Sequence, residues 1–270
     1  MGKLLKVLLW IAGGIVGLVV VALAAVAMFF DPNDYKDQIV KAVKDETGRE
    51  LTIKGDLELH VFPWLAVGIG EMQLGNAEGF GPQPMLEFKE IAAGLRLLPL
   101  IFTQSVELRT IKVDGLTVRL AVNAEGKNNW DDLSKPKEEK PEAPKSEGGG
   151  FSLTSLNVGG VAITNANLAY DDAKAGTAYK VENLRLETGA LALGEPMPLD
   201  FSCLLTSTKP DVAADVKLAA QITADLAGKV YSIDDLVLGI SARGAPIPAG
   251  KQDVTLAGDV RFDQGQGAVS

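Results

Sequence analysis

From Val7 to Phe30 the chain carries no charged or strongly polar residue. As a helix rising 1.5 Å per residue, this run reaches roughly 36 Å against a hydrocarbon core of about 30 Å. Lys3 and Lys6 precede it, and Asp31, Asp34 and Asp37 follow. The positive-inside rule then predicts a cytoplasmic N-terminus, with everything after Phe30 across the membrane. A cleaved leader is the rival reading, with small-residue sites at Ala22-Leu23-Ala24 and Ala25-Val26-Ala27. The run exceeds the apolar core of about 7–15 residues usual in a leader, which favours an uncleaved anchor.

The period then changes twice. Between Asp31 and Gly48, Tyr35, Ile39 and Val43 recur at helical spacing with Val40 beside them, while Lys36, Asp37, Lys41, Lys44 and Asp45 face away. Asp31 or Asn33 can cap this helix, Pro32 suits its first turn, and Gly48 stops it. Its apolar stripe is narrow and its polar face mixes both signs. That favours a plug at the end of a sheet over a helix lying on the membrane.

From Leu51 the period is two. Leu57, Leu59 and Val61 alternate with Glu58 and His60; Val67 and Ile69, Leu95 and Leu97, Val106 and Leu108, and Val118, Leu120 and Val122 continue the pattern. Leu184 and Leu186, then Leu236, Leu238 and Ile240, resume it later. One apolar and one often charged face is the signature of antiparallel strands with one wet side. Gly55, Gly75, Pro82, Pro99 and Gly115 punctuate the run, and no second helical pattern interleaves, which argues against a parallel α/β enzyme. Residues 134–150 alternate Lys and Glu with Pro and end in glycines, a linker that cannot bury a core. The expected organisation is therefore 1–6 cytoplasmic, 7–30 anchor, 31–133 helix and sheet, 134–150 linker and 151–270 further sheet. Strand signals continue almost to Ser270, which predicts an open last edge or a sequence that is part of something longer. The steps Leu108, Ile111, Val113, Gly115, Val118 recur as Leu153, Leu156, Val158, Gly160, Ile163, so the linker interrupts a reiterated strand–turn–strand unit.

Composition narrows the chemistry. Acidic residues outnumber basic ones, 35 to 26, which argues against nucleic acid as a partner. One histidine, His60, and one cysteine, Cys203, exclude a zinc site built from such ligands and an intrachain disulfide. His60 falls on the polar side of its strand, and Cys203 sits in a strand-like apolar run. Asp171 and Asp172 are adjacent acids that a strand would point to opposite faces, and they read as turn residues. Neither catalytic residue nor cofactor is expected, and the chain is expected not to be an enzyme.

Several short motifs, in this order, carry a resemblance. They are Asp31-Pro32-Asn33-Asp34-Tyr35, Thr47-Gly48-Arg49, Gly55-Asp56-Leu57, Phe62-Pro63, Asn76-Ala77 and Leu98-Pro99-Leu100. Gly126 with Asn129-Trp130, and Ile163 to Ala166 with Tyr170-Asp171, complete them. Together they resemble the AsmA family of bacterial envelope proteins, over residues 31 to 171. The resemblance implies a single-pass inner-membrane anchor with a periplasmic body and a part in outer-membrane biogenesis. It also implies kinship with chorein-type bridge proteins, which carry lipids along a β-groove.

Many strands with one apolar face need that face covered by a second sheet, a helix or a ligand. On the residues alone a closed sandwich is the ordinary reading; the resemblance turns it towards a groove that phospholipid completes. The expected fold is mainly β: a transmembrane helix, a short amphipathic helix, then an extended antiparallel curved sheet forming an apolar groove. The groove candidates are the alternating apolar positions named above, with Tyr35, Ile39, Val40 and Val43 on the membrane-proximal helix. Membrane lipids, phospholipid among them, the inner membrane, and outer-membrane or periplasmic proteins are the implied partners. The alternative is a non-enzymatic tethered scaffold acting by protein contact. Trp130 is read as packing a strand end against the sheet.

Overall fold

A computed structural model describes residues 30–61, 64–96, 99, 105–134, 156–192, 194–225, 228–263 and 268–269. The expected anchor, apart from Phe30, lies outside the described residues, as do all but Ser134 of the expected linker, and Leu97, Phe62 and Pro63. No helix of the described residues is long and apolar enough to cross a membrane.

The helical segment begins as a 3-10 turn, Pro32–Tyr35, and continues as an α-helix, Lys36–Thr47, here α1. Asp31 caps the turn by accepting from the Asn33 backbone N–H at 2.8 Å. Gly48 stops α1 at φ 72°, a left-handed position that suits a residue without a Cβ. The helix packs beside the first strand, Leu51–Ile53, and the 3-10 turn beside the second, Leu57–His60. Asn33 completes this edge: its amide donates to the Leu57 carbonyl at 3.0 Å and its carbonyl accepts from the Leu57 N–H at 2.9 Å. The first row's outer backbone groups are thus partly satisfied, as an edge strand requires. Of the four expected apolar positions, Val40 and Val43 are half-buried while Tyr35 and Ile39 stay exposed, and Phe30 stacks on Tyr35 with ring centroids 5.3 Å apart.

Among the described residues, the chain after α1 forms one seventeen-stranded open sheet, with a short helical turn, Asp131–Ser134, and a 3-10 turn, Pro248–Gly250, inserted. Strands broken in line form ten rows that follow sequence order. Rows 1 to 5 span residues 51–60, 64–74, 86–96, 106–122 and 156–172. Rows 6 to 10 are unbroken: Thr177–Thr188, Met197–Thr208, Asp211–Asp225, Val230–Gly244 and Lys251–Asp263. Ala268–Val269 pairs only with the end of row 10.

Neighbouring rows are antiparallel with one exception. Row 4 and row 5 run parallel, from Val106 opposite Leu156 to Val122 opposite Asp172. The expectation of a wholly antiparallel sheet is corrected here. The long connection between these rows, residues 123–155, supplies the crossover that parallel neighbours need. It also places both regions flanking the expected linker in one sheet. The two similar segments each break at a positive-φ glycine, Gly115 and Gly160. They lie side by side but five residues out of step, so Ile163 faces Val113 rather than Val118.

Rows 1 to 6 are interrupted along one line, by residues 54–56, 70–71, Lys89, 115–116, Asn165 and Asn183. Asn165 and Asn183 adopt φ 54° and 52°, the left-handed region that Asn tolerates. Such bulges bend a strand and change its parity. The amide of Asn165 and the hydroxyl of Thr164 both donate to Asp114 Oδ1, at 2.7 and 2.8 Å, which stitches the crease across rows 4 and 5. On row 1 the crease needs glycine, because a Cβ on Gly55 would collide with the Glu71 backbone.

Candidate functional site

The register assembles one apolar surface across the sheet. Leu57, Ile69, Ile91, Val113 and Ile163 stand opposite one another in rows 1 to 5. Leu186, Phe201, Leu218, Leu238 and Leu256 carry the same rung through rows 6 to 10. Row spacing of about 4.8 Å gives this rung a length of roughly 43 Å. A second rung runs through Leu51, Leu74, Leu86, Val118 and Leu168 to Val181, Leu205, Ala214 and Ala242, ending at Gln252.

The parity change at each bulge keeps both rungs on the same side. Without it, the residues on one side of the crease would present their apolar set to the opposite face. The opposite face reads Glu58, Gly68, Ala92, Lys112 and Ala162, then Glu187, Asp200, Ala219, Val237 and Ala257. Apart from the exposed Val237, it is charged or small where the first face is aliphatic or aromatic.

Every described groove candidate that lies in a strand falls on the apolar face. Leu59 faces Val67, Leu95 faces Leu108, Leu120 faces Tyr170, and Leu184 faces Ala166. Val106 lies two residues from Leu108, Val122 faces Asp172, and Leu236 and Ile240 flank Leu238 in position. Val61, just beyond the second strand, is buried. The covering of this face is uneven. Leu57 is 9% exposed, whereas Leu256 is 56% exposed, and Leu168, Leu205, Ile233, Val254 and Val260 are also exposed. No second sheet packs on it among the described residues. The face is therefore broad and open rather than a narrow slot. A hollow of about 580 Å³ lies on the polar side instead, lined by Arg185, Glu187, Asp200, Ser202 and Lys217 among others.

The individually flagged residues take modest places. His60 is exposed, on the polar side opposite Ala66. Cys203 is buried on the apolar face, and burial pushes its thiol pKa up. Asp172 closes the turn after row 5, accepting from the Ala175 N–H at 2.8 Å. Trp130 packs towards Tyr170 at the end of row 5, ring centroids 6.3 Å apart, and Tyr170 lies 6.3 Å from Tyr179. No group of three metal-ligating side chains occurs among the described residues.

The feature missed in the sequence is a polar knot at the shared end of rows 1 to 4. Arg49 is buried, and its guanidinium grips Asp132 with two nitrogens, Nε at 2.9 Å from Oδ2, while also donating to the Asn129 carbonyl. Asn129 is fully buried and satisfied on every side. It accepts from the Ala121 N–H at 2.9 Å and donates to the Arg119 carbonyl at 2.8 Å and to Asn76 Oδ1 at 2.9 Å. Hydrogen bonding from Arg49 holds the Asp132 carboxyl below the usual carboxylate range. Nothing in the spacing of Arg49, Asn76 and Asn129 signals that they meet. The bulges had a visible sign: apolar parity flips between Ile163 and Leu168, across Val181 and Leu184, and between Ile233 and Leu236.

A family model described as the AsmA family matches residues 1–250. Protein AsmA of Escherichia coli (strain K12) is 29% identical over 140 residues, covering 52% of this chain and 22% of that protein. No solved structure matches the chain.

Proposed function

The chain belongs to the AsmA family, linked to the bacterial envelope and outer-membrane biogenesis, and we propose that its sheet carries phospholipid on the apolar face. The single observation behind this is the uninterrupted apolar rung from Leu57 to Leu256, buried only at Leu57, half-buried from Ile69 to Leu238 and exposed at Leu256. Each methylene shielded from water gains about 0.8 kcal/mol, wherever along the rung it lies. That attraction is non-directional, and equivalent rows 4.8 Å apart let an acyl chain shift from one to the next without a dedicated pocket. The side chains act collectively, and the proposal needs no catalytic group.

In this reading the apolar run Val7 to Phe30 is an inner-membrane anchor and the body lies in the periplasm. The exposed Phe30 and Tyr35 pair then stands where aromatic residues favour the membrane–water boundary. The body draws lipid from that membrane for use elsewhere in the envelope. Outer-membrane or periplasmic proteins are its further partners.

A photo-crosslinking residue at Val118 or Leu120 tests this in cells. Capture of phospholipid is expected, and Asp at both positions should abolish lipid passage while the chain stays membrane-bound. Capture of protein without lipid would replace the proposal by a tethered scaffold acting through contacts.

A further inference from the structure

Rows 4 and 5 run parallel, so both finish at the same end of the sheet. Three turns meet there: residues 123–128 after row 4, 172–177 between rows 5 and 6, and 208–211 between rows 7 and 8. Each carries one lysine, Lys127, Lys174 and Lys209, and all three are exposed. Their ammonium groups step along the rim. Lys174 Nζ lies 3.2 Å from the point a Cβ on Gly126 would occupy, over the turn holding Lys127. Lys209 Nζ lies 3.1 Å from the corresponding point on Gly176, over the turn holding Lys174. None of the three forms an ion pair among the described residues, whereas Lys36, Lys54 and Lys251 each do.

Just inside this rim the apolar face changes character. Aliphatic residues give way to the row Trp130, Tyr170 and Tyr179, which flanks Leu120. Aromatic side chains with one apolar and one polar end favour the zone between hydrocarbon and charge. The order across the sheet is therefore aliphatic, aromatic, cationic. It matches the order acyl chain, ester zone, phosphate in a phospholipid lying along the strands.

Resting on the lipid-contact reading above, we propose that this rim is a headgroup rest, with Lys127, Lys174 and Lys209 taking the phosphate of a bound phospholipid. Glu125 and Asp211 are exposed on the same turns and Asp171 on the strand just before the second, so three exposed carboxylates stand beside the three lysines. Asp172 is engaged by the Ala175 N–H and by the Tyr170 hydroxyl. The lysines thus recognise the phosphate itself, and a headgroup that adds an ammonium is accepted beside one that does not.

The test compares the full chain in mild detergent with its K127Q/K174Q/K209Q variant, each carrying a photo-crosslinker at Leu120. Three probes are offered: phosphatidylglycerol, phosphatidylethanolamine and diacylglycerol, which has the acyl chains without the phosphate. The variant should capture both phospholipids about tenfold less, with diacylglycerol changed less than about twofold. Equal capture of all three by both proteins would overturn the headgroup rest and leave the apolar face as the lipid surface. Loss of diacylglycerol along with the phospholipids would overturn it as well, by showing damage to the face itself. Inorganic phosphate at millimolar concentration should not compete; if it does, the lysines form a plain anion site and the proposal fails. Absence of capture by the unaltered chain for every probe would remove the lipid-contact reading and this proposal with it.

Discussion

The two ends of the sheet solve the problem of an apolar face differently. At rows 1 to 4, α1 packs beside the first strand and the polar knot ties the row ends, and Leu51, Leu57, Val61, Met85 and Phe88 are buried, although Val67 is 48% exposed. In rows 5 to 10 only small or short side chains are buried, Ala166, Cys203 and Ala220, while Leu186, Phe201, Leu218 and Leu238 are half-buried and Leu168, Leu205, Ile233, Val254, Leu256 and Val260 are exposed. Yet the same rung passes through both. Alternation of apolar and polar residues builds the face everywhere, but large apolar side chains are fully buried only in and beside rows 1 and 3. Rows 5 to 10 hold together by ladder hydrogen bonds and contacts between adjacent side chains, each such pair contributing roughly 0.2–1 kcal/mol.

The contrast is sharpest at Asn129. Replacing it with Ala removes the partners of the Ala121 N–H and the Arg119 carbonyl, while the Asn76 amide oxygen keeps the Ala77 N–H. Each unsatisfied buried group costs about 1–3 kcal/mol, so for these two a total loss of roughly 2–6 kcal/mol is expected in urea unfolding. A loss below about 1 kcal/mol would show that the knot does not hold rows 1 to 4 together.

Next come two leucines of one rung. Leu57→Ala should cost about 2–4 kcal/mol, because it leaves a cavity where the site is covered. Leu256→Ala should cost less than about 1 kcal/mol, because most of that side chain already meets solvent. Equal losses in the same unfolding measurement would erase the distinction between the two ends.

Acid separates them further. A carboxyl whose folded pKa is depressed contributes stability above its unfolded value of about 3.9, and this is lost as pH falls through the lower folded value. Asp132 is such a group, held down by Arg49, and Asp114 is another, held down by Asn165 and then Thr164. The melting temperature should therefore fall as pH drops below about 4. Arg49→Met should flatten the part of that fall that belongs to the knot and leave the part from the crease. An unchanged profile would mean that the pair does not couple to folding.

The smallest effect concerns Cys203. Its buried thiol, with the pKa pushed up, should react with iodoacetamide at pH 8 at least about tenfold more slowly than in the unfolded chain. Rapid labelling would show that the open rows come apart locally even while the knot stays formed.

Much of the fold was legible because strand period is a local property. Leu57 and Leu59, or Leu236, Leu238 and Ile240, announce one face by their own spacing, and Gly48 announces a helix stop. The crease was written there too, in the parity flips at Asn165 and Asn183. The knot was not, because a buried Arg or Asn looks like a surface residue until its partners are known. Arg49 and Asp132 lie 83 residues apart. Tyr35 and Ile39 show the opposite failure: their helical spacing matched a buried stripe, yet the first row takes up only Val40 and Val43.

By itself, then, the sequence determined that this chain is an apolar run, a short helix and a long succession of one-sided strands. Those features follow from the alternation of side chains along the backbone, which no distant contact can alter. Only the tertiary structure decided that rows 4 and 5 run parallel, that Arg49, Asn76 and Asn129 meet, and that no second sheet covers rows 5 to 10 among the described residues. Pairing direction, polar satisfaction and covering each depend on which segments lie side by side, and that is fixed by the free energy of the whole sheet rather than by any stretch of it.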